Sequence, residues 1–214
     1  MLSIAANGAN PNLINKNDDG IDSKTAVQII DLLINKPINI EHQSKKIVGH
    51  ILTSGFTEMG NSNIISAKDA AETDEPINMA FGGVIYRKIY PELAKLLEDS
   101  ADPNNKLHKT VSTSWEIAFS NFHIVLGSRV IKDAEIVTDP KQIKELRGYL
   151  RKYGGPGKLK DGTPVYRKVF GANLLPIGFG IVHKPAAEVS GILTQNMDEN
   201  SKASKTFLDL FKKK

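Results

Sequence analysis

The sequence predicts an α+β chain dominated by a closed or nearly closed, mostly antiparallel sheet with a few helices on its surface. Two observations carry this reading. Runs with one-in-two apolar alternation or a short apolar stretch recur near residues 37–42, 46–54, 77–86, 110–119, 122–126, 164–170 and 177–183. Helical periodicity is confined to brief segments between them. A chain of 214 residues, 40% of them hydrophobic, can bury one substantial core with at most a small appendage.

The elements follow in order. Residues 1–22 are rich in Asn, Asp and Gly without a stable period, and are expected to form a flexible arm. Ser23 to Asn35 reads as a helix, with Ser23 as N-cap, Ala26, Ile29, Ile30 and Leu33 as its apolar stripe, and Pro37 as its stop. Two strands follow, around 37–42 and 46–54, joined by Gln43-Ser44-Lys45, and a polar loop then leads to a short helix from Ser66. Ile77 to Tyr86 reads as a buried strand whose Gly82-Gly83 pair marks a bulge or a close backbone approach.

Tyr90 to Leu97 reads as a helix with Pro91 in its first turn. The strand near Phe122 to Leu126 is expected antiparallel to the one before it. Pro140 to Tyr153 reads as a basic helix with Ile143, Leu146 and Leu150 on one side. Gly154 to Lys158 lacks the Gly-x-x-x-x-Gly-Lys-Ser/Thr spacing of a phosphate loop and is read as a flexible connection. Strands near 164–170 and 177–183 complete the sheet. A folded unit over 23–193 is therefore expected between the arm and a polar tail, 194–214, which turns weakly amphipathic through Phe207, Leu208, Leu210 and Phe211.

Composition narrows the function classes. With no cysteine there are no disulfides and no thiolate metal sites. The five histidines, at 42, 50, 108, 123 and 183, include no i, i+4 pair and no His-Glu-x-x-His, so neither a metal nor another cofactor is called for. No apolar run nears the ~20 residues that span a bilayer, so no membrane association is expected and the chain is read as cytosolic. The formal charge of +4 is modest and does not demand a nucleic-acid partner, although the helix at 141–152 offers a nucleic-acid reading.

The chemistry concentrates in Thr110 to Phe119. Alternation places Val111, Thr113, Trp115, Ile117 and Phe119 on a core face, and Ser112, Ser114, Glu116 and Ala118 on the other. Two hydroxyls and a carboxylate then stand in line on a rigid element, the support a nucleophile needs, although such a row can also simply face water. In Lys36 to His42 the same alternation points His42 the way Ile38 and Ile40 point. An imidazole there is either a hydrogen-bonded core histidine or a general base, and a serine hydroxyl needs a base of near-neutral pKa to become a nucleophile.

Three segments give the chain a resemblance. Val111-Ser112-Thr113-Ser114-Trp115-Glu116 resembles the Ser-x-Glu strand of tailed-phage prohead maturation proteases, relatives of the herpesvirus assemblin. Pro37 to His42 followed by Ile47-Val48-Gly49 resembles the family's histidine segment, and Gly178 to Ala186 its closing strand. The resemblance spans roughly residues 36–193.

It implies a serine endopeptidase with Ser114 as nucleophile and His42 as general base, and Glu116 at the motif glutamate, where it orients His42 or is a structural partner. It also implies scaffold and major capsid proteins as substrates, in the host cytoplasm inside an assembling procapsid, with a homo-oligomer as one arrangement. A non-catalytic capsid-assembly or scaffold protein keeping the fold is the alternative. Ser112 shares the face of Ser114 and competes as nucleophile. His108 has the same parity but would lie too far along the strand. His50 competes as base or third member, and His123 and His183 as third members, because the assemblin branch uses a histidine there.

Overall fold

The computed structural model describes residues 1–61, 63–171 and 173–194. Strands β1 (Leu2–Ala9) and β2 (Asp19–Gly20) precede helix α1 (Ser23–Ile29), which passes into a 3₁₀ turn over Ile30–Leu33. Then come β3 (Pro37–Ile40), β4 (Gln43–Glu58), β5 (Ile64–Ile65), α2 (Ala67–Glu72), β6 (Ile77–Ile85) and α3 (Pro91–Ala101). After these lie β7 (Ser112–Ala118), β8 (Asn121–Leu126), β9 (Glu135–Val137) and α4 (Pro140–Leu146). The described chain ends with β10 (Val165–Phe170), β11 (Leu175–Val182) and β12 (Leu193–Thr194).

The strands form two sheets where the sequence suggested one. The larger has the order β12-β1-β6-β4-β3-β11-β7, with β5 added to β4, and the smaller the order β2-β10-β8-β9. Pairing is antiparallel except for β3 with β11 and β2 with β10. β8 therefore does not pair with its predecessor β7: it runs antiparallel to β10 and β9. The chain is mixed α/β and strand-rich, and the described residues form no closed sheet. The Thr113 hydroxyl of β7, the last strand of the larger sheet, donates at 2.8 Å to the Asn7 carbonyl of β1, the second strand from the other end, but among the described residues no ladder joins those strands.

The expected N-terminal arm is instead the strand β1, held between β12 and β6. Its Leu2, Ile4 and Ala6 enter the main core, whose centre includes Phe81 stacked on Phe179 with ring centroids 4.1 Å apart. Ala5 and Ala80 pack on the opposite face of the sheet with Leu193. A strand covered on both faces does not alternate, which is why its pattern reads as structureless. The polar tail expected over 194–214 lies outside the described residues except for Thr194, which pairs with Ile4.

Local signals place most helices. Asp22, one residue before the expected cap, accepts from the Thr25 backbone amide and starts α1. Ser66 caps α2 and Pro91 opens α3, as read. The single helix expected over 140–153 stops at Leu146 and continues as two 3₁₀ turns, Arg147–Tyr149 and Arg151–Tyr153, closed by Gly154 at φ 84°. The close approach expected at Gly82-Gly83 is present: a Cβ on Gly83 would lie 2.7 Å from the His50 carbonyl oxygen.

Candidate active site

The β3–β4 connection differs from the expected strand and three-residue loop. Ile40 pairs with Gln43, leaving Glu41 and His42 as a two-residue hairpin loop with φ 48° and 59°. Two successive left-handed residues are the signature of a type I′ turn, whose twist suits the flanking strands but which favours Asn and Gly. Neither residue here is one of these, and a left-handed non-glycine costs about 1–2 kcal/mol. The tip is tied down where this cost is met. The Glu41 backbone amide donates to the Ile181 carbonyl at 3.0 Å, and its carboxylate accepts from the His183 amide at 3.1 Å. His42 thus does not follow Ile38 and Ile40 into the core; its side chain is 42% exposed.

Register places the neighbours. Gly180 of β11 pairs with Asn39 on one side and Ser114 on the other, while Gly178 pairs with Glu116. Asn39, Gly180, Ser114 and Glu116 share one face of the sheet. The imidazole lies over the gap that Gly180 leaves: a Cβ there would meet His42 Nδ1 at 2.8 Å and Cε1 at 3.0 Å. Glu116 Oε1 contacts His42 Nδ1 at 2.7 Å. The Asn39 amide donates to both Glu116 oxygens, at 3.1 and 3.0 Å. Asn39 is 2% exposed, so the carboxylate is held from beneath by a buried donor and presents one oxygen to the ring. With Nδ1 engaged, Nε2 is left for a hydroxyl.

Ser114 is the strand neighbour of that ring. Same-face Cβ atoms of directly opposed residues stand about 5 Å apart, so His42 Nδ1, 2.8 Å from where a Gly180 Cβ would lie, is within about 8 Å of the Ser114 Cβ. No hydrogen bond joins the two side chains, and Ser114 is 6% exposed. The row was open to a solvent-facing reading, but its serines are buried. Ser112, the competing hydroxyl, is 4% exposed and accepts from the Gly191 amide at 2.9 Å.

The other histidines lie in separate settings. His50 is bonded to the Tyr86 hydroxyl, and His183 Nδ1 sits 3.2 Å from the Thr110 carbonyl. His123 stacks on Phe170, and burial, reinforced by the Lys168 charge, holds its pKa below the usual histidine value. His108 precedes β7, and its buried Nδ1 has no hydrogen-bond partner among the described residues.

His42 and Glu116 open into a cleft of about 430 Å³. Its far wall is Asn15, Asn17, Asp19 and Gly20, from the segment expected to be a loose arm, and its apolar lining includes Trp115, Ile117, Phe119 and Ile177. Asp19 faces Arg167 at 2.6 Å, and Arg167 lies over the Phe119 ring, 5.2 Å from its centre. Burial raises the Asp19 pKa above the usual carboxylate value although the guanidinium opposes it. Among the described residues no three His, Asp or Glu side chains gather as metal ligands, and no helix is long and apolar enough to cross a membrane.

Asn39 and Gly180 were not singled out from sequence. A polar residue inside Pro37-Ile38-Asn39-Ile40 and a second glycine in Gly178-Phe179-Gly180 were the available signals. No protein-family model, curated protein or solved structure matches the chain.

Proposed function

We propose that the chain is a serine endopeptidase in which Ser114 is the nucleophile, His42 the general base and Glu116 the carboxylate that orients it. The observation that carries this is the hydrogen-bonded line Asn39–Glu116–His42, seated over Gly180 beside Ser114. A carboxylate on Nδ1 fixes the tautomer that offers Nε2 as acceptor, and stabilises the imidazolium formed when the serine proton is taken. Ser114 Oγ would attack the scissile carbonyl, His42 would return the proton to the leaving amine, and water would release the acyl group. Substrate-free sites commonly hold the nucleophile–base bond long, which accommodates the missing contact.

The reading extends to prohead maturation, with scaffold and major capsid proteins as substrates in an assembling procapsid. It rests there on the Ser-x-Glu, histidine and closing-strand resemblances. The contact from Thr113 to Asn7, which brings the end strand β7 against β1 near the opposite end of the open sheet, supports the nearly closed sheet that this family implies.

One observation favours the alternative, a capsid-assembly or scaffold protein without catalysis: Ser114 is buried, its hydroxyl has no hydrogen bond among the described residues, and it is not part of the cleft lining. Labelling by a serine-directed fluorophosphonate separates the two. Labelling of the purified protein that is lost in Ser114→Ala supports the peptidase. Labelling that persists in that variant, or none in the wild type, supports the alternative.

A further inference from the structure

The positive charge of the chain is gathered in one stretch that the proposed site does not use. Residues 141–160 carry seven Lys or Arg against one carboxylate, Glu145, a net of +6 in a chain whose total is +4, so everything outside the stretch sums to −2. Packing explains why the cations face water. Ile143 and Leu146 of α4, then Tyr149, Leu150 and Leu159, pack with Ile124, Val137 and Val165 of the smaller sheet. Lys141, Lys144 and Arg147 fall away from that contact along α4 and its 3₁₀ continuation, Arg151 and Lys152 follow in the next turn, and all five are exposed. Leu159 packs inward beside the bridge from Lys158 to Pro164, so Lys158 and Lys160 alternate outward and are exposed too.

Little within the chain offsets these charges. Arg151 meets both Asp18 oxygens at 3.1 Å, and the Arg147 guanidinium lies over the Tyr153 ring, 4.0 Å from its centre. The five lysines make no ion pair among the described residues. The flanking acids serve the backbone: Asp139 accepts from the Lys141 and Gln142 amides, and Asp161 from the Thr163 amide. The loop amides do not cradle a compact anion, because those of Gly154, Gly155 and Gly157 donate to the Arg151, Leu150 and Tyr149 carbonyls. What remains is an array of separate ammonium charges, which suits an extended polyanion. Tyr153, 41% exposed, is the one large apolar side chain that the stretch exposes. The surface therefore lacks the apolar, lysine-poor centre of a protein–protein interface.

We infer that this surface binds the phosphate backbone of nucleic acid without reading its sequence. The lysines would displace counterions condensed on the polymer, and that release supplies the affinity. A DNA duplex carries one charge per about 1.7 Å of axis, whereas an extended acidic peptide offers at most one per about 3.3 Å, so nucleic acid is the denser match. The inference goes beyond the peptidase reading and uses no residue of the Asn39–Glu116–His42 line.

The test uses the full chain and a fluorescein-labelled DNA duplex of about 20 base pairs, followed by anisotropy between about 50 and 200 mM NaCl. Engagement of five lysines gives a slope of log K on log salt near about −4.5, a loss of about 500-fold over that range. In the triple variant Lys144→Gln, Lys158→Gln and Lys160→Gln the slope should shrink to about −1.8 and the loss to about 12-fold. Its thermal midpoint should not move, because all three side chains are exposed. The rival basic run, Lys212-Lys213-Lys214, is changed to Gln in parallel and should keep most of the slope. No binding at the lowest salt, or a slope that the first triple variant retains, overturns the inference. Poly-glutamate of equal total charge should bind at least about tenfold more weakly than the duplex. Equal or tighter binding overturns the inference and assigns the surface to an acidic polypeptide.

Discussion

At the scale of single residues, the two serines of β7 separate cleanly. The Ser114 hydroxyl has no hydrogen bond among the described residues, so Ser114→Ala should leave the thermal midpoint nearly unchanged while peptide cleavage falls by up to ~10⁶ in turnover. Ser112 accepts the Gly191 amide, so Ser112→Ala leaves a buried donor unpaired and should cost about 1–3 kcal/mol in urea unfolding with little change in turnover. The reverse pattern would show Ser112 to be the nucleophile. Glu116 faces an Asn39 amide at both oxygens and the ring at one. In Glu116→Gln one of these donors must meet an NH₂ group. Turnover should drop on the order of 10³–10⁴ with KM little moved, the pattern of a misheld imidazole. Turnover kept within threefold would leave His42 without an orienting group, since His50, His123 and His183 are engaged elsewhere.

At the scale of elements, the strands of the site were legible because period-two alternation survives in β7, and because His42 and the serine row fall near strand ends. The hairpin tip was not legible. Nothing in Ile40-Glu41-His42-Gln43 resembles the Asn-Gly or Asp-Gly pair that announces a type I′ turn. Tertiary bonds from Ile181 and His183 impose it instead. This makes Gly180 critical. In Gly180→Ala the new Cβ would press within 2.8 Å of His42 Nδ1, and an imidazole displaced by about 1 Å should cost about 10² in turnover, with circular dichroism unchanged. Turnover within twofold of wild type would show that the ring does not need that gap.

Helix α1 offers a separate check by pH. Burial alone would raise the Asp22 pKa, but bonds from Lys168 and Thr25 outweigh it and hold the carboxyl below its ordinary value of 3.8. A depressed carboxyl stabilises the fold above the unfolded value, and the contribution disappears as pH falls through the folded one. The stability gap between wild type and Asp22→Asn should therefore be full near neutrality and close only below 3.8. A gap independent of pH would assign it to the cap geometry alone.

For the whole molecule, the order of strands could not be read from local patterns. Which strand lies beside which is decided by long-range packing, so β8 was placed next to β7 although it pairs with β10 in a second sheet. β1 shows the same limit more sharply. Leu2-Ser3-Ile4-Ala5-Ala6-Asn7-Gly8-Ala9 is built of small residues because the sheet is covered on both faces there, and Gly8 admits the Phe179 ring: a Cβ on Gly8 would lie 1.7 Å from a ring carbon. The segment that read as a flexible arm is interior to the larger sheet, and the residues just after it form the far wall of the cleft. Ile4 decides between these views. It is 1% exposed within the main core, so Ile4→Ala should destabilise the chain by about 2–5 kcal/mol in urea unfolding, through lost transfer energy and the cavity left behind. A flexible arm would give no change, because a side chain already in water loses nothing on truncation.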